Sequence, residues 1–104
     1  MKGLVVTLLG MALIGLTPLG CAGPKPYADY SQAYVALRSA KSAEASRYSP
    51  GYWSKAERLY REGQQAYKEN SNEKAQKLFR LSVKYAEKAE NVTRLKKFQT
   101  GGVP

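Results

Sequence analysis

Three apolar stripes with helical spacing, separated by two short turn signals, constrain the fold of this chain most strongly. The turn signals are Ser-Pro-Gly at 49–51 and Asn-Ser-Asn at 70–72. Apolar residues that recur every three or four positions share one face of a helix. No stretch between the turns alternates with the period of two that a half-buried strand shows. The pattern therefore predicts an all-α protein, either a three-helix up-down-up bundle or a helical hairpin plus one helix.

The second helix has two candidate start positions. Ser49 is a preferred N-cap residue and Pro50 suits the first helical position. Ser54 and Glu57 also have the spacing of a capping box, which would place the start later. Further along, Gly63 lies on the apolar face although glycine costs about 1 kcal/mol relative to alanine in a helix. Its position predicts that another backbone comes close there.

The other two helices are bounded by weaker signals. The first is expected over about residues 27–46, and the third should begin after a cap at Asn70 or Ser71. We expect a three-helix domain over residues 27–98, with residues 99–104 as a flexible tail. The apolar positions of the three stripes are Tyr30, Ala33, Tyr34, Leu37 and Ala40; then Tyr52, Ala56, Leu59, Tyr60, Gly63, Ala66 and Tyr67; then Ala75, Leu78, Phe79, Ser82, Tyr85, Ala86, Ala89 and Val92.

An apolar stretch precedes these helices and ends at the only cysteine. Lys2 is followed by the apolar run Leu4–Leu16, which at about 13 residues is shorter than the roughly 20 residues of a membrane-spanning helix. An early charge, a short apolar run and the small Gly20 before Cys21 are typical of a cleaved export signal. This pattern predicts a signal peptide over residues 1–20.

The residues around Cys21 resemble the lipobox of bacterial lipoproteins. Gly20 and Cys21 fit its pattern, whereas Pro18 stands where leucine is usual. The resemblance implies cleavage between Gly20 and Cys21, a diacylglyceryl group on the thiol and an acylated new amino terminus. Two or more acyl chains hold a protein firmly in a membrane. Residues 21–26 would then be the lipidated cysteine and a spacer. Ala22, in place of the aspartate of inner-membrane lipoproteins, implies the outer membrane, facing the periplasm.

Charge and composition narrow the classes of function. The net charge of +9 becomes +8 once Lys2 is removed with the signal. For an exported protein, this charge predicts anionic envelope partners and no nucleic acid. The chain has no histidine and one cysteine, so the usual ligands of zinc are missing and we expect no cofactor beyond the covalent lipid. No nucleophile has a histidine as base, and the carboxylates are scattered, so we expect no enzymatic activity.

Two features of the predicted helices are candidates for binding. Lys77, Arg80, Lys84 and Lys88 form a basic stripe along the third helix. Like charges four residues apart destabilise a helix by a few tenths of a kcal/mol, which docking on an anionic surface would justify. The alternative is an ordinary solvated face. Trp53, at the edge of the second apolar stripe, is a candidate anchor for a protein partner. The alternative is ordinary core packing.

Two family resemblances cover the helical region. Gly63, Ala75 and Phe79 have the spacing of the small, alanine and aromatic positions of a tetratricopeptide-type hairpin. A broader series, over about residues 27–92, is similar to a family of short alanine-rich helical domains of unknown function in bacterial envelope lipoproteins. That resemblance implies a fold and a compartment, and no activity. The series consists of Ala36, Leu37, Ala40, Ala43, Ser49, Pro50, Trp53, Ala56, Leu59, Ala75, Leu78 and Ala86.

Together these patterns predict a membrane-anchored lipoprotein of the bacterial envelope that acts as a non-catalytic accessory or scaffold protein. It would work by binding an envelope protein. The alternative is a basic helical module that binds an anionic envelope polymer, such as lipopolysaccharide, phospholipid headgroups or cell wall. Steep weakening by salt would distinguish polymer binding from an apolar protein interface.

Overall fold

The computed structural model describes residues 24–101, which form four helices. Their bounds are Tyr27–Ser42 (α1), Ala45–Tyr48 (α2), Pro50–Lys68 (α3) and Asn72–Gln99 (α4). The described region contains no strand, which confirms the predicted all-α class.

Contacts along α4 give the directions of the other long helices. Later residues of α1 contact later residues of α4, so these two helices are parallel. Later residues of α3 contact earlier residues of α4, so those two are antiparallel. The pairs that show this are Asp29–Arg80 and Ser39–Glu90 on the α1 side, and Ser49–Thr93 and Ala56–Ser82 on the α3 side. The three long helices therefore run up, down and up, as the sequence predicts.

The prediction of one continuous helix over residues 27–46 is wrong, because the chain breaks after Ser42. Glu44 adopts a left-handed conformation with φ of 70°, which costs a non-glycine residue roughly 1 kcal/mol. Because of this break, the short helix α2 is oriented so that Ala45 is fully buried in the core. The Glu44 carboxylate also accepts a hydrogen bond from Lys97 Nζ at 2.9 Å. Tertiary contacts thus replace the last helical turn.

The third helix in the chain, α3, begins at Pro50, the earlier of the two predicted starts. Ser49 holds the N-cap position, but its hydroxyl makes no capping hydrogen bond. Instead its Oγ lies 3.0 Å from Thr93 Oγ1 of α4, and both residues are buried. The proline defines this helix start, while the serine side chain joins α3 to α4.

The turn between α3 and α4 closes through asparagine. Asn70 has φ of 60°, a left-handed conformation that asparagine tolerates better than most residues. The amide of Asn70 donates to Tyr67 O at 3.2 Å and that of Ser71 to Ala66 O at 2.9 Å. These two bonds form a Schellman motif. Asn70 therefore ends α3, and Ser71 stands at the N-cap position of α4 without a side-chain capping bond.

The core between the long helices consists mostly of alanines. Small side chains let helix backbones approach closely, so this composition produces thin, tightly packed helices. Ser82, which is fully buried on α4, satisfies its hydroxyl by donating to Ala56 O at 2.8 Å. The fully or almost fully buried alanines are Ala33, Ala40, Ala45, Ala56, Ala66, Ala75, Ala86 and Ala89.

One aromatic cluster interrupts the alanine core, and Phe79 is at its centre. Phe79 is fully buried and stacks on Tyr30 with ring centroids 4.6 Å apart. A Cβ at Gly63 would lie 2.8 Å from two carbons of the Phe79 ring. The prediction of a close backbone at Gly63 is therefore wrong. The nearest neighbour is a side chain, because the Phe79 ring needs room that only glycine leaves.

The last turns of α4 remain helical through Gln99, one residue past the predicted domain end. Leu95 and Phe98 are exposed, at 56% and 82%, so the core stripe ends where the sequence predicts. The helix continues because Lys96 Nζ donates to Tyr48 O at 2.6 Å and Lys97 pairs with Glu44. Residues 102–104 of the predicted tail lie outside the described residues.

Candidate functional site

A groove opens between α1 and α3 at the end of the domain where α1 stops. At the other end, the same two helices are joined by the aromatic cluster. There Gln64 Nε2 donates to Tyr30 Oη at 3.0 Å, and the Tyr30 and Tyr60 rings meet edge to face at 5.8 Å. Toward Trp53 the gap between the helices widens into a cavity of about 360 Å³. We call it the Trp53 groove.

The walls of the Trp53 groove are apolar and aromatic, and its rim is charged. Leu37 forms part of the floor and belongs to the buried core, while the aromatic side chains belong to α1 and α3. Three cations and one carboxylate line the edges. The lining residues that matter for recognition are Tyr34, Leu37, Trp53 and Tyr60 among the apolar ones, and Arg38, Lys41, Arg61 and Glu57 among the charged ones. The rim is therefore predominantly basic.

Trp53 itself is half-buried and packs against the core cluster around Leu37 and Ala40. One part of its ring thus belongs to the core while another part faces the groove. Such a side chain combines a rigid position with an accessible apolar surface, which suits an interface anchor. Core packing therefore accounts for part of the Trp53 ring, and the role as a partner anchor stays a prediction.

The rim cations Arg38 and Lys41 were not singled out from the sequence. Both are exposed on α1, one turn apart, and face the groove beside Trp53. Their three-residue spacing places them on one helix face, but nothing in the sequence shows that α3 lies opposite. Only the packing of α1 and α3 against α4 brings them next to Trp53.

The structure separates the four members of the basic stripe by their partners. Arg80 Nε lies 3.0 Å from Asp29 Oδ1 of α1, and Lys77 Nζ lies 3.6 Å from Glu73 Oε1. The other two have no carboxylate partner in the part of the chain described. Lys88 Nζ lies 4.9 Å from the centroid of the Tyr52 ring, and Lys84 is exposed. Half of the predicted stripe is thus internally neutralised.

Comparison with known protein families assigns the helical region to a family. Residues 28–100 match a family model described as Domain of unknown function (DUF4398). The chain belongs to this family. No curated protein and no solved structure matches the chain. The match confirms the sequence expectation of a helical domain of unknown function, and it extends past residue 92 to the end of α4. The tetratricopeptide resemblance stays a prediction.

The DUF4398 domain holds its tyrosines in two contrasting electrostatic environments. Burial, together with Tyr27 and Tyr30 nearby, raises the pKa of Tyr67 to about 12. Burial is also the main reason that the pKa of Tyr60 is raised, with Tyr30 adding to it. By contrast, the Lys55 ammonium group lowers the pKa of Tyr85 through hydrogen bonding and charge. The aromatic cluster therefore favours neutral phenols, and the neighbourhood of Tyr85 is strongly positive.

Other predicted sites fall partly outside the described region. Gly20 and Cys21, the predicted cleavage and lipidation positions, lie outside it, so those assignments stay predictions. None of the four helices between residues 24 and 101 has the length and apolar character needed to cross a membrane. Within the same residues, no three acidic side chains approach closely enough to hold a metal ion.

Proposed function

We propose that this chain is a membrane-anchored lipoprotein that serves as a non-catalytic accessory or scaffold protein in the bacterial envelope. It acts by binding another envelope protein in the Trp53 groove. The observation that carries this proposal is the half-buried Trp53 at an aromatic cavity with a basic rim. Aromatic anchors in pockets supply most of the energy at protein interfaces.

The charge of the rim specifies the kind of partner segment. Arg38, Lys41 and Arg61 have no carboxylate partner within the described residues, and Glu57 is the only acid that lines the groove. A basic rim repels basic segments and favours acidic ones. The proposed occupant is therefore a segment of an envelope protein that presents an apolar side chain flanked by carboxylates.

The groove lies toward the C-terminal end of α1, whereas the predicted anchor precedes α1 in the sequence. Lys25, four residues after Cys21, donates from Nζ to Tyr67 O at 3.1 Å and covers the Tyr67 ring. This contact ties the start of the domain to the end of α3. From Tyr27 to Lys41, α1 rises about 20 Å at 1.5 Å per residue. A lipid attached before α1 would thus hold the domain by the end that is farther from the Trp53 groove, which leaves the groove open to a periplasmic partner.

Site-specific photo-crosslinking in a native host tests the binding role. A photoreactive residue is placed at position 53 and, as the matched control, at Leu81, an exposed apolar position on α4. We expect an adduct from position 53 that maps to an acidic segment of one envelope protein. The double substitution Arg38→Gln/Lys41→Gln should abolish it, and Lys68→Gln/Lys74→Gln, which removes the same charge elsewhere, should not. Equal adduct yields from positions 53 and 81 would refute the role of the groove.

Intact mass tests the anchor separately. In the membrane fraction, the wild-type chain should have the mass of residues 21–104 plus acyl chains, and Cys21→Ser should lose it. An unprocessed or unlipidated wild-type chain would contradict the anchor while leaving the groove proposal to stand on the crosslinking result.

A further inference from the structure

A second groove, between α3 and α4 on another side of α3, has a different chemistry. It has a volume of about 480 Å³. Each helix contributes a tyrosine and, three residues later, a lysine, and the two pairs are crossed. Lys55 of α3 lies 4.2 Å from the centroid of the Tyr85 ring, and Lys88 of α4 lies 4.9 Å from that of Tyr52. The two rings stack with centroids 6.4 Å apart. We call this the Tyr–Lys groove.

The positive charge in the Tyr–Lys groove is not neutralised by the protein. Six other basic side chains of the described region have a carboxylate within 4 Å, namely Arg47, Arg58, Lys77, Arg80, Arg94 and Lys97. Neither Lys55 nor Lys88 has one, and no acidic residue lines the groove. Lys96, which also lines it, bonds a backbone carbonyl rather than a carboxylate. The fold thus places three ammonium groups without a carboxylate partner, those of Lys55, Lys88 and Lys96, along one groove.

The electrostatic state of Tyr85 agrees with this charge count. Lys55 lowers the pKa of its phenol most strongly, and the charges of Lys84 and Lys88 act in the same direction. Three ammonium groups therefore act on one oxygen at the edge of the groove. A positive field of this kind, over an aromatic surface, attracts compact anions.

We propose that the Tyr–Lys groove binds a phosphate group carried on an organic body. Lysine ammonium groups act as point charges for phosphate. Each retains hydrogen-bond donors while its charge lies near a ring, since an ammonium group has three. The tyrosine rings offer an apolar surface to the organic part, and the groove is larger than a bare phosphate ion needs. The phosphate comes from a lipid headgroup or from a soluble ester.

This site is distinct from the Trp53 groove and does not depend on the proposed function. Of the residues in the predicted basic stripe, only Lys88 lines it. Arg80 and Lys77 keep their carboxylate partners and take no part. The sequence signal is the repeated Tyr-x-x-Lys pattern at 52–55 and 85–88, which gains meaning only when α3 and α4 are placed antiparallel.

The test follows the Tyr52 and Tyr85 ring signals by NMR in the full chain held in zwitterionic micelles. Titration with glycerol 1-phosphate should shift these rings, and binding should raise the pKa of Tyr85 because the anion offsets the lysine charges. The double substitution Lys55→Gln/Lys88→Gln should weaken binding by about tenfold or more, since each lost charge-assisted bond is strong. Lys68→Gln/Lys74→Gln, with the same net charge, should change it less than about twofold.

Two further arms keep the result decisive. Circular dichroism first checks that the glutamine variant keeps its helix content, so that a loss of binding is not a loss of fold. Lys55→Arg/Lys88→Arg restores the charge and should retain binding. Reconstitution in phosphatidylcholine vesicles with or without phosphatidic acid separates the sources. Ring shifts only with phosphatidic acid assign the site to headgroups, and shifts only with glycerol 1-phosphate assign it to soluble esters. No shift with either probe, or equal weakening by both glutamine variants, would overturn the proposal.

Discussion

Substitution of Gly63 by alanine tests how the core of this domain is built. In a typical helix, this change stabilises by about 1 kcal/mol, because alanine has the higher helix propensity. Here the added Cβ would lie 2.8 Å from Cδ1 and Cε1 of Phe79 and 3.2 Å from its Cζ. Phe79 is fully buried among the rings of Tyr30, Tyr60 and Tyr67, which restrict its movement.

The two effects have opposite signs, and the steric one should win. Overpacking a well-packed core by one methyl group costs about 1–3 kcal/mol. Subtracting the propensity gain leaves a net destabilisation of about 1 kcal/mol. A described region of this length has a total stability of about 4–12 kcal/mol, so the change is a measurable fraction. It corresponds to a fall in melting temperature of about 4–8 °C.

Gly51→Ala is the matched control, because nothing lies within 4 Å of a Cβ built there. Urea unfolding followed by circular dichroism should show Gly51→Ala to be neutral or stabilising and Gly63→Ala to be destabilising. In a Phe79→Leu background, which removes Cε1 and Cζ of the ring and leaves Cδ1 on a flexible side chain, Gly63→Ala should be less destabilising than in the wild type. Equal stabilisation by Gly63→Ala and Gly51→Ala, or the same effect of Gly63→Ala in both backgrounds, would refute a steric clash with Phe79.

Three further predictions concern buried and charged groups. Thr93→Val alone should cost about 1–3 kcal/mol by leaving the Ser49 hydroxyl buried and unpaired, and the double variant Ser49→Ala/Thr93→Val should cost less than the two single changes added together in a urea-unfolding cycle. Because the pKa of Tyr67 is raised from 10.0 to about 12 in the folded chain, its contribution to stability is complete below pH 10 and is lost as the pH rises toward 12. Spectrophotometric titration should show Tyr85 ionising before Tyr67, and the reverse order would contradict the charge distribution derived above. Lys97 lowers the pKa of Glu44 below 4.5. The stability that this ion pair provides is therefore present above pH 4.5 and is lost as the pH falls through the lowered pKa. Glu44→Gln should remove this part of the acid dependence measured by thermal melts.

Element boundaries with an explicit chemical marker were predictable from the sequence. Pro50 specifies the start of α3, and Asn70 marks the turn into α4 because each favours a backbone conformation by itself. The break at Glu44 had no such marker, since glutamate is not a residue that favours φ of 70°. It arises because α2 must turn Ala45 into the core, and Lys97, 53 residues away in the chain, meets the Glu44 carboxylate.

Some features of the binding surfaces were likewise predictable from the sequence, and others were not. The periodicity placed Trp53 at the edge of its stripe and ended the last stripe at Val92. In the structure Trp53 is half-buried, and the later apolar residues Leu95 and Phe98 are exposed. The periodicity could not show that Arg80 is neutralised by Asp29, because that pair joins two helices that are far apart in sequence. A stripe of like charge on one helix says nothing about the side chains that a neighbouring helix brings to it.

The sequence by itself determined the all-α class, the number of long helices, their order and most of the residues that face inward, since these follow from local periodicity and from turn residues with restricted backbones. The exceptions are Tyr34, which was expected in the first stripe and is exposed, and Ala45 and Thr93, which belonged to no stripe and are buried. Tertiary structure alone decided which cations lack a partner, why position 63 must be glycine, and where two grooves open. Those properties depend on distances between α1, α3 and α4. Such distances result from the packing of alanines and one phenylalanine over the whole domain, and no local pattern encodes them.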